Sequence, residues 1–271
     1  MVGAAAVVAG EASVDSAVAA QVEVAQVAVG NQKQINPEAE LTELVPRLRE
    51  AAGRNLVSVI VYGSAAGKDF KREYSDLNVL LVANKLPLEG LKALVSVTTW
   101  WRERGHPALV IFTREELERA ADVFAIELYD MKHRHRVLEG EDIFATLEIP
   151  MALHRIQLEH ELRTSLLRLR QSYIADPSED AVLNLMVQSI SSFGTLFRHA
   201  LIAIGQEPPL HRREVTVKLG ELVGYDPKSF LEIYDLREGR SHALHVEETF
   251  RQYLFIIEQV TSWVDRKLEG A

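Results

Sequence analysis

The chain has no cysteine. Disulfides and cysteine-ligated zinc are therefore excluded, and a reducing, cytoplasmic compartment is the expectation. An excess of basic charge is also missing: 30 Lys and Arg stand against 39 Asp and Glu, for a formal net charge of −9. That balance supplies no bulk attraction to nucleic acid or to an anionic membrane, and neither is an expected partner. No apolar run free of charges approaches the roughly 18 residues of a membrane-spanning helix. No basic residues precede the short apolar run Ala4–Ala9, which argues against a signal peptide. What is present is an ordinary globular composition, 47% hydrophobic and 25% charged over 271 residues. That length suits about two domains with sizeable cores.

Residues 1–36 are rich in Ala and Val and read as a poorly ordered arm or a weak helix. Asn36 and Pro37 read as the cap and first turn of a helix that Gly53 closes, with Pro46 marking a kink or a second start. Strand and helix signals then alternate to about residue 149. Val57–Tyr62, Tyr74–Val82, Ala108–Phe112 and His135–Gly140 read as strands. Leu88–Arg104, a helix starting in the capping box Thr113–Glu116, and Phe124–Lys132 read as helices. Trp100 and Trp101 read as core or interface packing.

From residue 150 the strand signals stop. Leu153–Tyr173 carries Leu158, Leu162, Leu166, Leu169 and Tyr173 on one face. Asp176, Pro177 and Ser178 form a turn and N-cap. Helices follow over Ala181–Ile204, Glu214–Val223, Pro227–Leu236 and Val246–Lys267. The last has Tyr253, Ile256, Ile257, Val260, Trp263 and Val264 as its apolar stripe. The expectation is an α+β chain in three parts: the arm at 1–36, a mixed-sheet domain at 37–149 and an all-α helical bundle at 150–271.

The unit that organises the chain is Val57–Tyr62, the pair Gly63 and Ser64, a charged loop, and the strand that carries Ser75, Asp76 and Asn78. Asp76 and Asn78 are two apart and share one strand face. An oxygen pair on an otherwise apolar strand needs a purpose, since burying it unpaired is costly. Gly67 and Lys68 do not make a P-loop. Tyr62 stands where that motif needs Gly, and Asp69 where it needs Ser or Thr.

Gly63-Ser64, a short spacer and Ser75-Asp76-Leu77-Asn78 before an apolar strand resemble the signature of the nucleotidyltransferase superfamily. This is the DNA-polymerase-β-like fold, which includes aminoglycoside and minimal nucleotidyltransferases. The likeness covers roughly residues 40–145 and includes the stretches starting at Phe124 and His135. It implies that Gly63, Ser64, Lys68 and Ser75 hold the phosphates of a nucleoside triphosphate such as ATP. It implies that the residues at 76 and 78 hold Mg2+ and that a hydroxyl acceptor receives the nucleotidyl group. The pattern has two departures. Asn78 replaces the second carboxylate, and Ala108–Phe112 carries no third acid. Glu115 and Glu116 beyond it read as capping and surface residues. Mg2+ binding is then expected to be weak or absent, with Asp76 and Asn78 its remaining ligands and the catalytic pair.

The helical part carries a second resemblance. Arg240 to His245, like Arg237 to His242, matches the spacing of the Arg and His motif of HEPN domains, some of which are ribonucleases. Helix-cap or interface roles are the alternative for Arg240 and His245. His133, His135 and His154 lack metal-ligand spacing and read as exposed or supporting histidines. Glu127 and Asp130 read as a surface pair or a cap to Arg134. Three function classes stand side by side. They are a Mg2+-dependent nucleotidyltransferase, an inactive binding or regulatory module of antitoxin type, and a HEPN-type ribonuclease. The resemblance also implies a homodimer, for which Trp100, Trp101 and the last helix offer apolar surface.

Overall fold

The computed structural model describes residues 36–66, 77–241 and 244–268. The arm at 1–35 and the loop carrying Lys68, Ser75 and Asp76 lie outside the described residues. The described chain divides into two compact units. The first comprises 36–119 with 130–147, and the second comprises 120–129 with 148–268.

The first unit is built on a four-stranded mixed sheet. Its strands are β1 (Leu56–Tyr62), β2 (Asn78–Ala83), β3 (Val110–Thr113) and β4 (His135–Gly140), in the order β3-β2-β1-β4. β1 is antiparallel to both β2 and β4, and β2 is parallel to β3. Alternation decides which side chains face which way. Val59, Val61, Val79 and Leu81 join one core with Leu41, Leu44 and Leu48 of α1 (Pro37–Ala52) and Leu94, Val97 and Trp101 of α2 (Leu88–Glu103). Ile60, Leu80 and Val82, on the opposite face, are also fully buried. β1 is thus the strand enclosed on both faces that its apolar run implies.

Local signals explain the ends of these elements. Asn36 Oδ1 accepts the Glu38 N–H at 3.2 Å, and Gly53 ends α1 at a φ of 54°. A single helix runs through Pro46, so there is no second start. At the start of α3 (Arg114–Ala120), the Thr113 N–H donates to Glu116 Oε2 at 2.7 Å. The Glu116 N–H donates back to Thr113 Oγ1 at 3.1 Å, completing the capping box. Trp101 is sealed in the core, while Trp100 lies under the guanidinium of Arg47 at 4.3 Å. Of this pair, only Trp100 keeps surface for a partner chain.

The second unit is helical. It holds α5 (Met151–Ala175), α6 (Glu179–Ala203), α7 (Arg212–Val223), α8 (Lys228–Arg237) and α9 (Val246–Leu268). α4 (Ala125–His133) lies between β3 and β4 in the chain. Ile126 of α4 belongs to the helical core, and its N–H donates to Gln157 Oε1 at 2.9 Å. Aromatic rings fill the centre: Phe230 lies 5.0 Å from Phe197 and 4.7 Å from Tyr253. The apolar stripe of α9 is buried inside this core and is not a free dimer face. Two local expectations need correction. Tyr173 leaves the buried face of α5 and stacks on Phe250 at 4.9 Å. Ser178 makes no side-chain cap; Asp176 Oδ1 instead accepts the Ser178 N–H at 3.0 Å. No described helix is long and apolar enough to cross a membrane.

Two stability tests follow from the first unit. Gly140 has a φ of 84°, and a Cβ there would lie 2.0 Å from the Val57 carbonyl oxygen. Gly140→Ala is expected to cost about 2–4 kcal/mol, read from the urea midpoint at unchanged slope. Glu40 is buried and accepts two bonds from the Arg104 guanidinium, at 2.5 and 2.6 Å. That contact holds its carboxyl below the ordinary glutamate value. A depressed carboxylate stabilises the fold above its unfolded pKa, and this stability is lost as pH falls through the folded value. Stability should therefore drop below about pH 4. Glu40→Gln should remove about 1–2 kcal/mol at pH 7 and flatten that acid limb.

Candidate active site

β1 ends in a polar row. Asn78, the first residue of β2, pairs with Tyr62, and Tyr62 pairs on its other edge with His135 of β4. The three share the sheet face opposite α1 and α2, because paired residues point the same way. Directly after Tyr62 the chain turns at Gly63, whose φ is 76°. The Gly63 N–H donates to the Arg134 carbonyl at 2.8 Å. A Cβ on Gly63 would lie 3.6 Å from Asn78 Nδ2, so the turn and the Asn78 carboxamide are neighbours. Ser64 follows in a short 3-10 turn over Gly63–Ala66 and is half-buried.

The row itself carries no carboxylate, and Asp142 stands beside it at His135. Burial pushes the Tyr62 phenol up to about 12, so it is a neutral hydroxyl at ordinary pH. The His135 ring sits between the Lys132 carbonyl, 2.9 Å from Nδ1, and the Asp142 carboxylate, 3.1 Å from Nε2. Asp142 also accepts the Phe144 N–H at 3.1 Å. This His135–Asp142 contact was not anticipated from the sequence. The signal available was a histidine opening a strand with an acid just beyond the strand's glycine.

The third acid can be sought by register. β3 runs parallel to β2 with Leu80 beside Val110. The pairing begins there and does not reach Asn78, and β3 itself, Val110–Thr113, carries no acid. Glu116 is used in the capping box, and Glu115 pairs with Arg119 at 2.9 Å. No group of three or more His, Asp or Glu among the described residues is placed to hold a metal ion. The described oxygens beside the Gly63 turn, from Ser64, Asn78 and Tyr62, are neutral. By themselves they do not fit Mg2+, which selects carboxylates and phosphate oxygens.

The remaining singled-out residues fall elsewhere. Glu127 accepts from Gln157 Nε2 at 2.9 Å. His154 is fully buried, which removes the exposed reading, with its Nε2 2.8 Å from His199 Nδ1. Tyr129 packs on both rings. Arg240 is held by Glu238 and Asp235. His245 is exposed just before α9, where its carbonyl accepts the Thr249 N–H at 2.8 Å.

No family model matches the chain, and no curated protein matches its sequence. In three dimensions it is similar to a spectinomycin adenyltransferase from Enterococcus faecialis, solved with ATP and spectinomycin. The TM-score is 0.55 at 15% identity, over 83% of this chain and 99% of that one. A nucleotidyltransferase-like protein from Exiguobacterium sibiricum matches with a TM-score of 0.37 at 13% identity, over 83% and 74% of the two chains. The fold is that of a nucleotidyltransferase: a mixed sheet followed by a helical region.

Restoring the second carboxylate tests the geometry around residue 78. Asn78→Asp is expected to raise Mg2+ affinity about tenfold or more. The readout is a Mg2+-dependent rise in Tm larger than that of the unsubstituted chain at the same ionic strength.

Proposed function

We propose that the strand-bearing unit binds a nucleoside triphosphate at the Gly63 turn and that its nucleotidyl transfer is weak or lost. The observation that carries this reading is the pairing of a retained turn with neutral neighbours. Gly63 lies against Asn78, and β3, the strand beside β2, carries no acid. The Gly63 N–H is occupied by the Arg134 carbonyl. Phosphate oxygens are left with the Ser64 hydroxyl, the following amides and the Asn78 carboxamide. Lys68 and Ser75 add to this set by resemblance. The likeness to an adenyltransferase solved with ATP and spectinomycin supports ATP and a hydroxyl-bearing acceptor as the ligand classes.

Transfer requires an acceptor hydroxyl to attack the α-phosphorus, pyrophosphate to leave, and the hydroxyl proton to be taken up. Mg2+, where bound, offsets charge on the phosphates. By the resemblance of the motif, Asp76 is the single acid left to hold it. β3 offers no carboxylate to take up the proton. A neutral residue at 78 and a third strand without an acid favour a binding or regulatory module over an efficient enzyme.

Calorimetry with ATP, with and without Mg2+, tests binding. The expected result is measurable affinity that Mg2+ changes by less than about threefold. Ser64→Ala should weaken it. Labelled AMP should not be transferred to aminoglycoside or protein hydroxyls. Clear incorporation that Asp76→Ala abolishes would overturn the proposal of lost transfer.

A further inference from the structure

The two helices over the strand-bearing sheet are placed by their ion pairs. α1 covers the β4 side: Arg49 pairs with Glu139 at 2.5 Å and Glu38 with Arg136 at 2.6 Å, both partners lying on β4. α2 lies beside α1, with Arg104 just past its end holding Glu40 and Trp100 lying under Arg47. α2 therefore sits toward β3, the edge strand at the other side of the sheet. A helix advances about 100° per residue, which fixes what each flank of α2 carries. Leu94, Val97 and Trp101 point into the core, while Trp100 and Arg104 point toward α1. Leu88, Leu91 and Val95 then share the flank away from α1, and they are 61%, 43% and 57% exposed. Ile111 of β3, in register with Leu81 on the same sheet face, is half-buried. An exposed apolar stripe above a half-covered edge strand is a surface suited to a further helix.

The chain that leads into α1 supplies a matching segment. Residues 1–35 precede Asn36, the cap of α1, and Glu40 in the first turn of α1 pairs with Arg104. The arm therefore joins the unit at the end of α2. Its sequence holds Val14, Val18, Val22, Ala25 and Val29 at steps of four, four, three and four, which is one helix face. Ser13 stands at the N-cap position and Gly30 at the C-terminal stop. Residues 14–29 number 16, the length of α2. Residues 30–35 join this segment to Asn36; extended, they reach about 20 Å, enough to cross a helix about 10 Å wide. Laid parallel to α2, the segment sets Val18 level with Leu91 and Val22 level with Val95. Asp15 and Glu23 then lie one turn either side of the exposed Lys92. A valine-rich helix of this length is marginal alone in water, so its stability has to come from a surface.

We propose that residues 14–29 dock as a helix on this flank of α2, in the same chain, parallel to α2 and above the β3 edge. The valine face covers Leu88, Leu91 and Val95, and the sheet face then carries three helices side by side. The surface stands independently of the nucleotide reading of the strand motif.

The test uses the full chain. In hydrogen exchange, the amides of 14–29 are expected to be protected at least about tenfold over an unstructured chain. Leu91→Asp, at an exposed position, should abolish that protection and leave the amides of β1 and β2 protected. The absence of cysteine allows a second measurement. Leu91→Cys is combined in turn with Val14→Cys, Val18→Cys, Val22→Cys, Ser16→Cys and Ala20→Cys, and disulfide formation is followed under mild oxidation. The fastest of the three valine positions should oxidise at least about tenfold faster than positions 16 and 20 on the opposite helix face, and should give a crosslinked monomer. If Leu91→Asp fails to fold, the cysteine series decides alone. Equal rates at all five positions overturn the proposal, as do unprotected arm amides in the unsubstituted chain or protection that survives Leu91→Asp. A disulfide found only between chains also overturns it and assigns the flank to the arm of a second copy.

Discussion

β1 is hydrogen-bonded along both edges and buried on both faces, and the strand-bearing unit is arranged around that constraint. A strand so enclosed tolerates polar side chains only where each is satisfied. Ser58 meets the condition inside the strand, since its hydroxyl bonds the Glu139 and Glu141 carbonyls at 3.1 and 2.7 Å. Otherwise polarity is pushed to the strand's end, where Tyr62 lies between Asn78 and His135. The chain must then leave the sheet abruptly, and Gly63 does so at a φ that other residues adopt at a cost. The site is thus a consequence of where an enclosed strand has to stop.

The two units treat charge in contrasting ways. In the first, Glu40 and Arg104 pair in a bidentate contact beside His106, and the Asp142 carboxylate stands against His135. In the second, Arg212 and Arg237 both donate to the Ser191 hydroxyl. Burial and the neighbouring Arg212 act to disfavour the charged form of Arg237, while Tyr234 and Glu238 favour it.

Much of this was legible in the chain. The four strands, the Asn36 cap, the Gly53 stop, the Thr113–Glu116 capping box and the inward stripe of α9 follow from spacing and local chemistry. Other features were not, for physical reasons. Tyr173 fits the helical period of α5 but lies in its last turns, where it stacks on the buried Phe250 and stays exposed itself. Exposed and supporting readings of His154 stood open because nothing local announces His199, 45 residues away. Ser191, Arg212 and Arg237 sit on three helices, and periodicity identifies a face without identifying what meets it. The loop between the motif halves was read as phosphate-binding, and its residues lie outside the described structure.

Asn78 puts a neutral side chain at a crowded sheet end. Closely spaced carboxylates repel one another, and desolvation raises that cost when no cation is bound. A sheet end carrying several acids therefore depends on a metal to offset the repulsion. A carboxamide at 78 adds none of it, and it offers one oxygen and one amide group to a ligand. The Gly63 turn is needed for structural reasons alone, because β1 must end there. A nucleotide at the turn would meet Ser64 and the following amides, none of which needs a carboxylate at 78.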